Sequence, residues 1–159
     1  MLKRLLVTGA AGGVANLLRP RLVGVSKKFR LTDIRHFVSA SDLDEIMIGD
    51  LADSAFVDQL VQGCDGILHL GGVSTERPFD EIMPANIVGV YNVYRAAAKY
   101  DRPRVIFASS NHVVGAYSTQ EIITPNEPFL PDSFYGASKV FGEAVAKLFF
   151  VKEGIESAV

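Results

Sequence analysis

Leu5-Leu6-Val7-Thr8-Gly9-Ala10-Ala11-Gly12-Gly13-Val14-Ala15 decides the architecture of this chain. Residues 3–8 are a short apolar run ended by glycine, and Val14, Leu17, Leu18 and Leu22 then recur at helical spacing. The order is strand, tight glycine turn, helix. Glycine is needed here because the backbone must reverse sharply and then let a pyrophosphate approach a helix N-terminus, where unpaired N–H groups favour an anion. Gly9, Gly12 and Ala15 hold the three spaced positions, with alanine where helix and strand come closest. Pro20 falls inside the helical pattern and is predicted to kink or shorten it.

Downstream, the same alternation repeats. Residues 29–34 read as a second strand with Asp33 near its end, 33 − 12 = 21 residues beyond Gly12. A carboxylate at that distance can accept both hydroxyls of an adenosine ribose and would repel a 2′-phosphate, which favours NAD; Arg35 keeps NADP as the alternative. Residues 45–48 fit a third strand, 54–62 a helix closed by Gly63, and 66–70 a fourth strand emptying into Gly71-Gly72-Val73-Ser74. Paired glycines after a strand let a cofactor approach the backbone. A helix over 84–99 places Pro84 in its first turn, where a missing N–H costs nothing. Residues 104–108 make a fifth strand, followed by Ser109-Ser110-Asn111-His112. After an irregular connection over 117–131 with three prolines, Asp132 or Ser133 caps a helix running to about residue 152. Five strands alternating with helices predict an α/β fold, a doubly wound parallel sheet in three αβα layers, with its ligand outside the carboxyl ends of the strands.

The composition fits one globular domain: 159 residues, 48% hydrophobic, 21% charged. A net charge of −2 without a basic run argues against nucleic acid or a membrane surface as partner. The single cysteine, Cys64, reads as a small buried hydrophobe and suits a reducing, cytoplasmic setting. Strand-like sequence from Leu2 leaves no room for a signal peptide, and His36, His69 and His112 are too dispersed for a metal site. His69 is expected to be a satisfied core residue.

Tyr135-Gly136-Ala137-Ser138-Lys139 carries the chemistry. Four residues apart on a helix, a phenol and an ammonium lie on one face, and the positive charge favours the phenolate, a base. With Thr8-Gly9-x-x-Gly12-x-x-Ala15, Asp33 and Ser110, the chain resembles the extended, sugar-acting branch of the short-chain dehydrogenase/reductase superfamily, whose fold is Rossmann-like. The separation 135 − 110 = 25 agrees with that branch. The stretches 69–79 (His-Leu-Gly-Gly-Val-Ser-Thr-Glu-Arg-Pro-Phe) and 107–112 (Phe-Ala-Ser-Ser-Asn-His) look like the NAD-dependent uronate dehydrogenases.

The resemblance implies oxidation of glucuronate or galacturonate at the anomeric carbon to a lactone. Tyr135 would be the acid/base, Lys139 the ribose-binding partner of the tyrosine, and Ser110 the hydrogen-bond donor to the reacting oxygen. Ser74, Asn111 and His112, with Ser110, would touch the sugar acid. NAD would lie against Gly9, Ala11, Gly12, Gly13 and Val14, then Asp33 and Ile34, then Asp50 and Leu51. It would continue past Leu70, Gly71, Gly72, Asn86 and Ala108 to Tyr135 and Lys139. Alanine at position 15, where the branch more often has glycine, is expected to weaken NAD binding. Residues 156–159 read as the start of a sixth strand, beyond which the family carries a substrate-side region absent from residues 1–159. Two other readings therefore share these residues: a sugar-nucleotide epimerase or dehydratase, and an NAD-binding module without turnover. Apolar residues on the helices from Pro84 and Ser133 suggest a homodimer or larger homo-oligomer.

Overall fold

The computed structural model describes residues 1–39 and 41–159. Its sheet has six parallel strands: β1 (Leu2–Thr8), β2 (Ser26–Asp33), β3 (Glu45–Ile48), β4 (Gly66–His69), β5 (Arg104–Phe107) and β6 (Ser157–Ala158). Their order is β3-β2-β1-β4-β5-β6. β1 pairs with β2 on one side and β4 on the other, so the winding reverses beside it and opens a crevice at the carboxyl ends. This is the doubly wound fold expected from the alternation of strands and helices.

β1 is buried on both faces because its side chains alternate between two cores. Leu6 joins the larger core with Val57, Leu60, Ile67, Val93, Tyr94, Phe107 and Val145, under α2 (Ser54–Val61), α4 (Val90–Lys99) and α5 (Phe134–Glu153). Leu5 and Val7 face the smaller core with Ala15, Leu31 and Leu68, under α1 (Gly13–Leu18). Helices on both faces complete three layers. Pro20 does shorten the first helix: α1 stops at Leu18 and a 3-10 turn, Arg19–Leu22, replaces its continuation. Cys64 is 2% exposed, and burial pushes its thiol up to about 11, leaving an inert apolar group.

The helix expected over 84–99 is corrected by the structure. Helical backbone starts earlier, at α3 (Phe79–Met83), passes through a π-helical stretch, Pro84–Gly89, and continues as α4. Pro78 stands at the N-cap, Asp80 and Glu81 favour the first turn by charge, and buried Ile82 anchors it. Pro84 therefore lies inside the helix, and the wider register absorbs its missing N–H. The second strand also begins earlier than expected, at Ser26, whose hydroxyl donates to Lys28 O at 2.7 Å.

α5 is bounded as its sequence foretells. Ser133 Oγ accepts the Gly136 N–H at 3.0 Å, and Gly154 ends the helix at φ +71°.

Candidate active site

The carboxyl ends of β1 and β4 are fastened together beneath the crevice. Thr8 Oγ1 accepts the Gly71 N–H at 2.9 Å and lies 2.7 Å from His69 Nδ1. Gly9 follows at φ +67°, and a Cβ there would come within 2.8 Å of Gly71 N and Leu70 C, so only glycine lets the two loops cross. His69 is a half-satisfied core residue rather than a fully satisfied one: Nδ1 has Thr8, while Nε2 is buried without a partner. Burial, then the Lys139 charge, depresses this imidazole to about 3 and keeps it neutral.

At the end of β2 the Asp33 carboxylate holds the glycine turn. Oδ2 accepts the Ala11 N–H and Oδ1 the Arg35 N–H, each at 3.0 Å, while Arg35 Nη2 donates to Ala11 O. The Asp33 side chain is 8% exposed. With the Arg35 Nε–H, 3.4 Å from Oδ1, three of roughly four acceptor positions on the carboxylate are used, leaving one toward a ribose hydroxyl. Gly12 caps α1 with no side-chain hydrogen bond, and nothing lies within 4 Å of where a Gly13 Cβ would be. The turn thus fits a dinucleotide, with bare backbone toward an anion and a carboxylate at ribose distance along the chain. Val14 and Ile34 are exposed beside it, Leu51 is buried against Gly71, and Leu70 is half-buried. Asp50 Oδ1 accepts the Ala52 N–H in a local turn, and Asp53 caps α2.

Tyr135 and Lys139 lie in the first two turns of α5, 9% and 8% exposed. Lys139 Nζ donates to Ala108 O at 2.8 Å, just beyond β5, and sits 5.0 Å from the Phe107 ring centre and 5.6 Å from that of Tyr135. The two residues do share a face, with the cation over the phenol. Desolvation alone lowers the ammonium to about 8. Ser110 caps the 3-10 turn Asn111–Val114, and its Oγ accepts the His112 N–H at 3.2 Å. Ala108 touches α5 through Lys139, and the His112 ring meets Tyr135 in a T at 5.4 Å, so the chain on either side of Ser110 contacts α5.

The loop after β4 is tied down twice. Asn86, buried in the π-helical stretch, accepts the Val73 N–H at 2.7 Å and donates to Val73 O and Ser138 Oγ. Glu76 accepts the N–H groups of Phe134 and Tyr135, the first two of α5. Exposed Ser74 lies between these ties. Gly72 stands at φ +149°, and a Cβ there would come within 2.7 Å of Asn86 Oδ1, so this glycine admits the asparagine to the loop. Ser138 and Glu76 escaped the sequence reading. A serine three residues after Tyr135 in mid-helix was a usable signal, because such hydroxyls bond back to the preceding turn, as Ser138 Oγ does to Tyr135 O at 2.7 Å. Glu76 offered none: its acceptor role depends on how a loop meets a helix 59 residues away.

The sequence matches the model of the NAD dependent epimerase/dehydratase family over residues 5–158. The chain belongs to this family. Within it, the uronate dehydrogenase of Pseudomonas syringae pv. tomato is 51% identical over 155 residues, covering 97% of this chain and 56% of that protein. Glucuronic acid dehydrogenase from Chromohalobacter salexigens superposes with TM-score 0.95 at 51% identity, over 99% of this chain and 59% of that one. Uronate dehydrogenase from Agrobacterium tumefaciens, crystallised as a tyrosine-to-alanine mutant complexed with NAD, gives TM-score 0.94 at 46% identity, over 98% and 58%. The chain therefore spans less than two thirds of the length of these members of the family. Among the described residues no helix is long and apolar enough to cross a membrane.

Proposed function

We propose that residues 1–159 form the NAD-binding, acid/base domain of a uronate dehydrogenase, which oxidises pyranose glucuronate or galacturonate at the anomeric carbon to an aldarolactone. The observation that carries this reading is the Lys139 cation over the Tyr135 phenol, at the crevice where the glycine turn and Asp33 stand ready for a dinucleotide. The likeness to uronate dehydrogenases, which extends through the stretches around Ser74 and Ser110, supplies the substrate class.

When bound, the nicotinamide supplies the acceptor for the hydride leaving C1. Tyr135 removes the proton of the anomeric hydroxyl, with the Lys139 ammonium over its ring. Ser110 donates its hydroxyl proton to the oxygen on which charge develops. Ser74, Asn111 and His112 hold the remaining hydroxyls and the carboxylate. Gly9, Ala11, Gly12, Gly13 and Val14 take the pyrophosphate, Asp33 and Ile34 the adenosine ribose, and Asp50 and Leu51 the adenine. Leu70, Gly71, Gly72 and Ala108 line the nicotinamide side, which Asn86 orders. A cytoplasmic location fits the one buried thiol and an NAD-linked reaction. Exposed Tyr91 on α4 and Leu148 and Val151 on α5 fit association with a second copy.

The test is NAD reduction by the chain with glucuronate, galacturonate and a nucleotide sugar. NADH forms with the two acids only, and Tyr135→Phe nearly abolishes it while NAD affinity stays within a few-fold. Equal turnover in that variant overturns the assignment; conversion of the nucleotide sugar alone, to an isomeric or dehydrated sugar with no net NADH, moves the chain to the epimerase side of its family.

A further inference from the structure

A hydrogen-bond chain beside Tyr135 has a direction that proton counting fixes. Gly136 N–H donates to Ser133 Oγ at 3.0 Å, Ser133 Oγ lies 2.7 Å from Asp132 Oδ1, and His112 Nδ1 lies 2.9 Å from both Asp132 oxygens. The Ser133 hydroxyl, then His112, hold the Asp132 carboxyl below the usual carboxylate range, so near neutrality it only accepts. Ser133 accepts from Gly136 and gives its one proton to Asp132. The hydrogen between Asp132 and the imidazole has to come from His112, at Nδ1. A neutral imidazole has a single N–H, which leaves Nε2 bare. No described residue bonds to Nε2, the side chain is 45% exposed, and the ring meets the Tyr135 ring at 5.4 Å and 73°.

We propose that Asp132 is a positioning residue that holds His112 as the Nδ1–H tautomer, so that Nε2 accepts a hydrogen bond from a sugar hydroxyl beside Tyr135. The identity of the sugar rests on the uronate reading; the tautomer does not. An Asp132 that merely ordered the loop would be indifferent to which ring nitrogen carries the proton. Selectivity follows from the acceptor: a hydroxyl at that point of the sugar donates to Nε2, and an analogue lacking it leaves the nitrogen unpaired.

The chain has three histidines, so long-range proton–nitrogen NMR of histidine labelled with heavy nitrogen resolves them, and the His112 signal is assigned by its loss in His112→Asn. The spectra are recorded at pH about 8.5, roughly two units above an ordinary imidazole. The native chain is expected to show Nδ1 protonated and Nε2 bare. In Asp132→Asn the Ser133 proton still seeks the amide oxygen, the amide N–H₂ turns to His112, and the tautomer reverses. With that reversal kcat/KM for glucuronate drops about tenfold, the loss of one hydrogen bond, while NAD affinity is unchanged. Nε2–H in the native chain overturns the proposal, as does a native tautomer retained in Asp132→Asn or an unchanged kcat/KM after the tautomer has reversed. The native spectrum needs no variant, so it decides even where Asp132→Asn does not fold. A chain that turns over no uronate loses its substrate assignment, and the His112 tautomer is still judged by its own spectrum.

Discussion

Lys139 is 8% exposed, and the only described acceptor of its ammonium is Ala108 O, helped by the faces of Phe107 and Tyr135. Burying a cation with so few partners costs stability, and the fall of its pKa to about 8 records that cost. In the unfolded chain a lysine titrates near ~10.4. Between about pH 8 and ~10.4 the unfolded state therefore binds more protons, so this residue's destabilisation is full below pH 8 and relieved as pH rises through that window. Lys139→Met keeps the stem and removes the charge. At pH 7 it should raise the unfolding free energy by on the order of 1–3 kcal/mol while eliminating NAD reduction. Urea melts of both proteins at pH 7 and pH ~10 test this, with the gap narrowing at the higher pH. An unchanged midpoint at pH 7 would show that the buried charge is fully compensated. At this scale the placing of Lys139 over Tyr135 was legible because four-residue spacing on a helix is a local property. Glu76 was not, because its two acceptor bonds depend on tertiary packing.

The helical stretch from Phe79 to Lys99 shows where local reading of an element stops. Proline favours a first turn, so Pro84 drew the expected boundary five residues too late, 84 − 79 = 5. What overrides that preference is tertiary: Ile82 is fully buried, and the π-helical register brings Asn86 to Val73 and Ser138. π-helical turns inside α-helices recur at functional sites for this reason. Asn86→Ala removes one acceptor and two donors from a group 2% exposed, leaving the Val73 N–H and the Ser138 hydroxyl short of partners. The expected cost is about 2–3 kcal/mol, with faster hydrogen exchange at Val73 than at the β4 amides. Exchange at Val73 unchanged from the parent would mean that Glu76 alone holds the loop. β1, β3, β4 and β5, in contrast, were readable to within a residue as short apolar runs, whereas β2 starts three residues early because Ser26-Lys27-Lys28 carries no apolar signal.

Across the whole molecule, the order β3-β2-β1-β4-β5-β6 sets the carboxyl ends of β2, β1, β4 and β5 in one row, with Asp33 at one end and Ser110 and Tyr135 at the other. A dinucleotide laid along that row touches elements from both halves of the sheet, so its binding is expected to stabilise the fold as a unit. At NAD about 100-fold above its Kd the unfolding free energy should rise by about 2.7 kcal/mol. Asp33 is proposed to decide which dinucleotide does this. Its carboxylate repels a 2′-phosphate and engages the Arg35 backbone at 3.0 Å and guanidinium at 3.4 Å. Asp33→Ala removes the repulsion and frees a guanidinium whose side chain is 65% exposed, at the cost of the Ala11 N–H tie. Thermal melts with each dinucleotide should then show the NAD-induced rise in Tm shrinking and an NADP-induced rise appearing. The two shifts respond to the same charge in opposite directions, so a variant that merely loosened the turn would lose the NAD shift without gaining an NADP shift. A variant that kept the parent's preference for NAD would remove Asp33 from the ribose site.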